Sequence, residues 1–195
     1  DVKDMTKPVM KEVYDHNFSH GKEFWSDSPE GDNLEPTTRG TIVETDESAS
    51  GANVLEATGS FYSRNPIPVN VNRVYQITFK VRATVGSPVV NGGVVCLDGN
   101  LNEIGRVSVV GAEAETIEVE DGWQIYTGLL LNDGEGFIDG TQYVRPAFAI
   151  TSGTVQVDYL EFEDVTEVQA LSERVSEVEL YTTEESIVAT VTNSY

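Results

Sequence analysis

Arginine and tyrosine side chains lie in strand-like segments of a chain that contains few cations. The sequence has 33 acidic residues and 12 basic ones. Arg82 belongs to one segment in which apolar and polar residues alternate, and Tyr143 and Arg145 belong to another. Alternation places every second side chain on the same face of a strand. If the apolar positions face a core, these three side chains share the open face of a sheet.

Such a face has the chemistry needed to bind a sugar. A guanidinium presents a planar fork of hydrogen-bond donors to hydroxyl or carboxylate oxygens, and an aromatic ring presents an apolar surface to the C–H face of a sugar. Trp25, in a polar segment, is a candidate for a further aromatic platform, whereas Trp123 at a strand start is more typical of a core. The alternative for the arginines is pairing with some of the 33 acidic residues.

Motifs typical of catalysis are absent from the sequence. It has no G-x-S-x-G turn, no phosphate-binding loop and no set of His and Cys with zinc spacing. His16 and His20 are four residues apart in a segment without a helical period, which indicates an exposed loop. Cys96 is the single cysteine, and its apolar neighbours indicate a buried structural thiol. We therefore predict that the chain is not an enzyme.

The net charge of −21 restricts the partners of the chain. It repels the phosphates of nucleic acids and the surface of anionic membranes. No apolar run approaches the roughly 18 residues that a membrane-spanning helix needs. We predict neither nucleic-acid binding nor membrane insertion.

Short strands separated by turn residues predict an all-β domain over residues 15–163, after a lead-in of residues 1–14. Residues 74–85, VYQITFKVRATV, alternate strictly, and Asn91-Gly92 is a hairpin signal. Roughly seven to nine short strands indicate a β-sandwich or jelly roll. An immunoglobulin-type domain is shorter and carries a Cys–Trp–Cys pattern. We therefore predict a jelly-roll β-sandwich.

The closing strand, within TVQVDYLEF, skips one residue. Val155 and Val157 keep a period of two, but the next apolar residues are Leu160 and Phe162. A skipped residue is typical of a β-bulge, which changes the direction of a side chain. We predict a bulge that redirects Asp158.

A helical period replaces the strand period directly after the closing strand. Asp164 can cap a helix, and apolar residues follow at spacings of three, four and three, as in the a and d positions of a coiled coil. These residues are Val168, Leu171, Val175 and Val178. We predict an oligomerising α-helical coiled coil over residues 164–182. The alternative is an amphipathic helix that packs on its own domain. Residues 183–195 are rich in β-branched side chains, which predicts the start of a further, truncated element.

Five segments occur in the order typical of jelly-roll carbohydrate-binding modules. They are NFSHGKEFW (17–25), PVNVNRVYQITFKVRAT (68–84), DGWQIYTG (121–128), RPAFAI (145–150) and VQVDYLEFED (155–164). Residues 13–163 thus resemble such modules and are similar to families four, nine and twenty-two. A heptad stretch directly after such a module resembles tail proteins of long-tailed bacteriophages.

The resemblance implies a set of site residues. Arg82, Tyr143 and Arg145 map to the concave sheet face that binds glycans, and Trp25 and Tyr62 map to its margin. The family often holds a structural calcium ion between the first and last strand regions, which here implies Asn17 and Asp158 as ligands, with Asp158 directed outward by the bulge. No other cofactor is implied. Of the opening motif Asn-Gly-Asp-Phe-Glu of the family, this chain keeps only Asn17 and Phe18.

The expected function is therefore that of a non-catalytic carbohydrate-binding module of a phage tail, baseplate or fibre protein. It would bind bacterial surface polysaccharide outside the host cell, as part of the virion and beside other tail proteins. The C-terminal helix would assemble a homo-oligomer, with a trimer implied by the phage resemblance. Two alternatives are a structural spacer of the tail that binds no sugar and an accessory module of a polysaccharide-degrading enzyme.

Overall fold

The computed structural model describes residues 13, 16–31, 33–48, 53–130 and 136–168. The chain divides into two compact units. Met10–Asp164 forms one unit, and Asp1–Val9 together with Val165–Tyr195 forms the other. In the second unit the structure describes residues 165–168, of which 166–168 have helical backbone and Val168 is 48% exposed. The other predicted coiled-coil positions, Leu171, Val175 and Val178, lie outside the described residues.

The described residues of the first unit form eight strands. They are β1 (Trp25–Ser26), β2 (Thr41–Glu44), β3 (Asn53–Ser63), β4 (Ile67–Pro68), β5 (Tyr75–Leu97), β6 (Glu103–Thr116), β7 (Gln124–Leu130) and β8 (Tyr143–Asp164). A 3-10 turn, Val119–Asp121, precedes β7. Within the described part of the chain no helix is long and apolar enough to span a membrane.

Three long strands each contribute to both layers of the sandwich. Residues 75–83 of β5 pair with β7 and with the second half of β8, whereas residues 89–97 pair with β6 and with the first half of β8. β3 pairs with the two halves of β8 in the same way. We call the layer that ends in β7 and β2 the β7 layer, and the layer that ends in β6 and β1 the β6 layer. The predicted all-β jelly-roll β-sandwich is confirmed.

Glycines allow β5 and β8 to bend between the layers. Gly86 lies opposite Gly153 at a shift in register, with φ of 73° and 159°. A Cβ atom on Gly153 would lie 2.4 Å from the carbonyl oxygen of Val85, so the two strands could not approach each other there. The bend sends residues before and after it to different layers.

Alternating apolar residues of both layers form the core. Ile77, Phe79 and Val81 have no exposed surface, as the alternation of residues 74–85 predicts. Phe79 of the β7 layer stacks on Phe148 of the β6 layer at 5.3 Å between ring centroids. Burial of each such side chain stabilises the fold by about 1.5–3 kcal/mol. The layers therefore meet face to face around an aromatic centre.

The predicted bulge in the closing strand is confirmed. Lys80 lies opposite Tyr159 and Val81 lies opposite Val157, so the register of the strand pair skips Asp158. The predicted hairpin at Asn91-Gly92 is wrong. Both residues lie inside β5 and pair with β8, because the strand continues to Leu97 before it turns.

Candidate functional site

A cleft of about 170 Å³ lies on the β6 layer. Four neighbouring strands, β3, β8, β5 and β6, contribute to it. Small residues line it at Gly93, Ala147 and Ala149, polar residues at Ser60, Asn91 and Ser108, and larger side chains at Tyr62 and Arg106. We call this the outer cleft, because these positions alternate with core positions such as Phe148.

The floor of the outer cleft is made of residues with almost no side chain. Ala147 lies between Tyr62 of β3 and Gly93 of β5, and Gly93 in turn lies opposite Ser108 of β6. A Cβ atom on Gly93 would lie 2.1 Å from the carbonyl oxygen of Val107. Because that contact is closer than atoms can approach, only glycine fits here. Neighbouring strands lie about 4.8 Å apart. The floor therefore extends over the width of several strands, and its small residues leave it without a protruding side chain.

Three polar side chains around this floor are available to a ligand. Ser60 and Asn91 are half-buried, and Ser108 is exposed. None of the three side chains makes a hydrogen bond within the described part of the chain. A serine hydroxyl donates once and accepts twice, and an asparagine amide offers two donors and one acceptor oxygen. The outer cleft thus offers both donors and acceptors to the hydroxyl groups of a bound molecule.

Tyr62 and Arg106 form one wall of the outer cleft. The Cζ atom of Arg106 lies 5.4 Å from the centroid of the Tyr62 ring, and Nη1 donates to the Tyr62 hydroxyl at 3.1 Å. Nη2 of Arg106 donates to Oε1 of Glu103 at 3.0 Å, and Nε donates to Oε2 at 3.2 Å. The hydrogen bond with Glu103 raises the pKa of Arg106 above its ordinary value. The guanidinium is therefore charged and fixed, while its side chain is 52% exposed.

Arg145 does not contact the outer cleft, so its predicted role in sugar binding is wrong. Its side chain has no exposed surface. Nε donates to the carbonyl of Pro29 at 3.0 Å and Nη1 donates to that of Ser63 at 3.1 Å. The guanidinium also donates to the carbonyls of Gly31 and Arg64. Burial lowers the pKa of Arg145. The residue holds the segment after β1 against the end of β3.

The prediction that Trp25 is an aromatic platform for a sugar is wrong. The residue is 0% exposed. Its ring lies between Phe18, at 5.6 Å between centroids, and Phe148, at 5.3 Å. The short strand β1 pairs with β3 and carries this ring into the core. Its place in the apolar core cluster explains its burial in an otherwise polar segment.

The prediction that Arg82, Tyr143 and Arg145 share one open face is also wrong. Arg82 precedes the bend of β5 and lies on the β7 layer, whereas the other two residues pair with β5 after its bend. Nε of Arg82 donates to Oε1 of Gln156 at 2.9 Å, and its guanidinium lies 4.6 Å from the centroid of the Trp123 ring. It also forms an ion pair with Glu47.

Of the five sugar-binding residues predicted, Tyr62 lines the outer cleft. Tyr143 is half-buried and packs on a small apolar cluster that includes Tyr62, Val95 and Leu97. The sequence analysis did not identify Arg106 or the polar residues of the outer cleft, Ser60, Asn91 and Ser108, as site residues. The alternation of residues 103–109, EIGRVSV, holds the signal for Arg106 and Ser108, since both occupy the polar positions of that segment.

The residues predicted to hold calcium do not fit that ion. Asp158 has no exposed surface, and its carboxylate accepts from the Ser48 hydroxyl at 2.8 Å and lies 3.3 Å from Nζ of Lys80. Oδ1 of Asn17 accepts from the backbone N–H of Ser19 at 3.3 Å. Calcium takes six to eight oxygen ligands, yet the described residues contain no group of three or more His, Cys, Asp or Glu side chains that could hold a metal. An ammonium group supplies the positive charge instead.

Solved carbohydrate-binding modules have a similar fold, although no protein-family model and no curated protein sequence matches the chain. The CBM22-1 xylan-binding domain of Xyn10C from Paenibacillus barcinonensis has a TM-score of 0.51 and 16% identity, over 82% of this chain and 96% of that domain. The CBM22-1 and GH10 modules of Clostridium thermocellum endo-1,4-beta-D-xylanase 10B, solved with xylohexaose, have a TM-score of 0.52 and 11% identity, over 80% of this chain and 28% of that one.

A phage protein has a similar fold. The enzymatically active domain of tailspike protein 4 of bacteriophage CBA120 has a TM-score of 0.52 and 12% identity, over 78% of this chain and 21% of that one. The chain thus spans about a quarter of the two longer proteins. At identities this low, the structural similarity shows a common fold alone. The chain has the jelly-roll fold of carbohydrate-binding modules.

Proposed function

We propose that the chain is a non-catalytic carbohydrate-binding module whose outer cleft binds polysaccharide. The observation that carries this proposal is the combination of a small-residue floor with polar side chains that have no partner in the described part of the chain. Such a cleft admits the backbone of a glycan to the floor and leaves Ser60, Asn91 and Ser108 to its hydroxyls. Ligand sites are typically concave and fix their ligand through a few well-placed polar groups.

Arg106 and Tyr62 would orient the sugar at one side of the outer cleft. Two N–H groups of Arg106 are left after its hydrogen bonds to Glu103 and Tyr62, since a guanidinium has five donors. The outward face of the guanidinium can lie against a sugar ring. The ring of Tyr62 supports it from beneath rather than contacting the sugar, because little of Tyr62 is exposed.

The proposed setting is the tail of a bacteriophage, where the module would assist adsorption to the surface polysaccharide of a bacterium. The similarity in fold to a phage tailspike domain supports this setting. The heptad pattern of residues 164–182 supports a homo-oligomer, proposed as a trimer, in which several weak sites act together. Linked sites raise avidity by effective concentration without any new contact. Other tail proteins would hold the assembly in the virion.

An accessory module of a polysaccharide-degrading enzyme is the second candidate function. The observation that favours it is the similarity in fold to a chain that carries CBM22-1 and GH10 modules of a xylanase. Binding in the outer cleft would be the same in both settings. Release of reducing sugar from a bound polysaccharide by the longer protein would favour the enzyme over the phage adsorption protein.

Affinity electrophoresis and calorimetry against a panel of bacterial and plant polysaccharides test the proposed function. We expect retardation by at least one polysaccharide, which Asn91→Ala and Arg106→Ala abolish or weaken at least about tenfold. Thr127→Ala, an exposed position on the β7 layer, is the matched control and should bind as the parent does. A folded chain that binds no polysaccharide would overturn the proposal and favour a structural spacer of the tail.

A further inference from the structure

The outer cleft carries little net charge. Among the described residues that line it, Arg106 is the only one with a charged side chain. Arg106 forms an ion pair at 3.0 Å with Glu103, three residues earlier on the same strand. The pair is neutral as a unit. The chain around it has a net charge of −21, so no positive surface attracts an anion to this site.

Glu103 already occupies the part of Arg106 that binds anions best. A carboxylate, sulfate or phosphate is recognised most strongly by the two parallel N–H groups of a guanidinium edge. In Arg106 the edge formed by Nε and Nη2 faces Glu103, and Nη1 donates to Tyr62. An anionic sugar would therefore have to displace Glu103 or approach it against charge repulsion. A sugar hydroxyl needs only one of the two remaining N–H groups.

We propose that the outer cleft selects uncharged glycans over anionic ones and that Glu103 is the residue that sets this preference. This inference rests on the proposed function and names its substrate class. Glu103 is a positioning residue, since it acts through Arg106 rather than by contact with the sugar. Its removal would free the bidentate edge of Arg106 and convert the wall of the cleft into an anion site.

Two pairs of polysaccharides with matched backbones test the proposal. The first is hydroxyethyl cellulose and carboxymethyl cellulose, and the second is carboxyl-reduced polygalacturonate and polygalacturonate. For the parent chain we expect the neutral member of at least one pair to bind roughly tenfold or more tightly than the anionic member at low salt. Glu103→Gln should tighten binding of the anionic member relative to that of the neutral member by roughly tenfold.

Salt and a matched variant separate this effect from a change in structure. The gain for the anionic polysaccharide in Glu103→Gln should disappear between about 20 mM and 500 mM salt, because screening weakens an exposed charge interaction. Glu44→Gln removes the same charge from β2 of the other layer and should leave the ratio of the two affinities unchanged.

Preference of the parent chain for the anionic member, or an unchanged ratio in Glu103→Gln, would overturn the inference while the proposed function stands. Absence of binding to every neutral and anionic polysaccharide would overturn the proposed function itself, and the inference with it. Unchanged far-ultraviolet circular dichroism of Glu103→Gln shows that the variant is folded.

Discussion

Lys80 and Asp158 form a buried ion pair across β5 and β8, with 3.3 Å between Nζ and the carboxylate. The Asp158 side chain is 0% exposed and that of Lys80 is 14% exposed. The pair lies at the bulge of β8, where the register skips Asp158 and its carboxylate contacts Lys80. Ser48 completes the arrangement with a hydrogen bond of 2.8 Å to the carboxylate. The pair anchors the segment after β2 to the β7 layer.

Removing one partner of this pair should destabilise the sandwich strongly. Asp158→Asn leaves the Lys80 ammonium without its counter-charge in a poorly solvated place, and loss of one partner of a buried pair costs about 3–5 kcal/mol. We expect a loss of about 3 kcal/mol in the free energy of unfolding, measured by denaturant titration. The double variant Lys80→Met with Asp158→Leu should recover most of this loss. A change below about 1 kcal/mol in Asp158→Asn would contradict the buried pair.

Calcium should not affect the stability of the chain. A ligand that binds only the folded state raises stability in proportion to the logarithm of its concentration. Because the Lys80 ammonium occupies the place of a cation beside Asp158, we expect the thermal midpoint to change by less than about 1 °C between excess calcium and a chelator. A midpoint that rises steadily with calcium concentration would contradict this expectation and restore the calcium site implied by the family resemblance.

Two arginines that the sequence placed on one face should differ in what they stabilise. Arg145→Ala leaves four backbone carbonyls without their buried donor, and each unsatisfied polar group costs about 1–3 kcal/mol. We expect a loss of at least about 3 kcal/mol in stability and faster amide hydrogen exchange in the segment after β1. Arg82→Ala removes a partly exposed ion pair with Glu47 and the hydrogen bond to the buried Gln156, and should cost about 1–3 kcal/mol, less than Arg145→Ala.

Glycan binding provides a second test of the position of Arg82. Arg82 lies on the β7 layer, opposite Gln156 of the second half of β8, so Arg82→Ala should bind polysaccharide as the parent does in affinity electrophoresis. Weaker binding by a folded Arg82→Ala variant would place the glycan on the opposite layer and contradict the site proposed here.

The sequence predicted which residues face the core better than it predicted which polar residues come together. The period of two in residues 74–85 identifies Ile77 and Phe79 as buried, because the period depends only on neighbouring residues. The prediction that Arg82 and Arg145 share one face is wrong, because the face on which each residue lies depends on where a long strand bends. Gly86 and Gly153 set that bend through close backbone contact, which no local pattern encodes. The bulge at Asp158 could be predicted from the sequence, because a bulge changes the local period of apolar residues.

Filling the floor of the outer cleft should abolish glycan binding without unfolding the chain. Ala149 is half-buried on the floor, beside Ser60 on one strand and Asn91 on the other. In Ala149→Leu the larger side chain points into the cleft rather than the core, so we expect stability to change by less than about 1 kcal/mol. Glycan affinity should fall at least about tenfold, because the leucine occupies the volume that the sugar needs. Thr127→Leu adds a similar apolar group to the exposed β7 layer and should leave affinity unchanged. Undiminished binding by Ala149→Leu, measured by calorimetry on the folded variant, would show that the polysaccharide binds elsewhere on the sandwich.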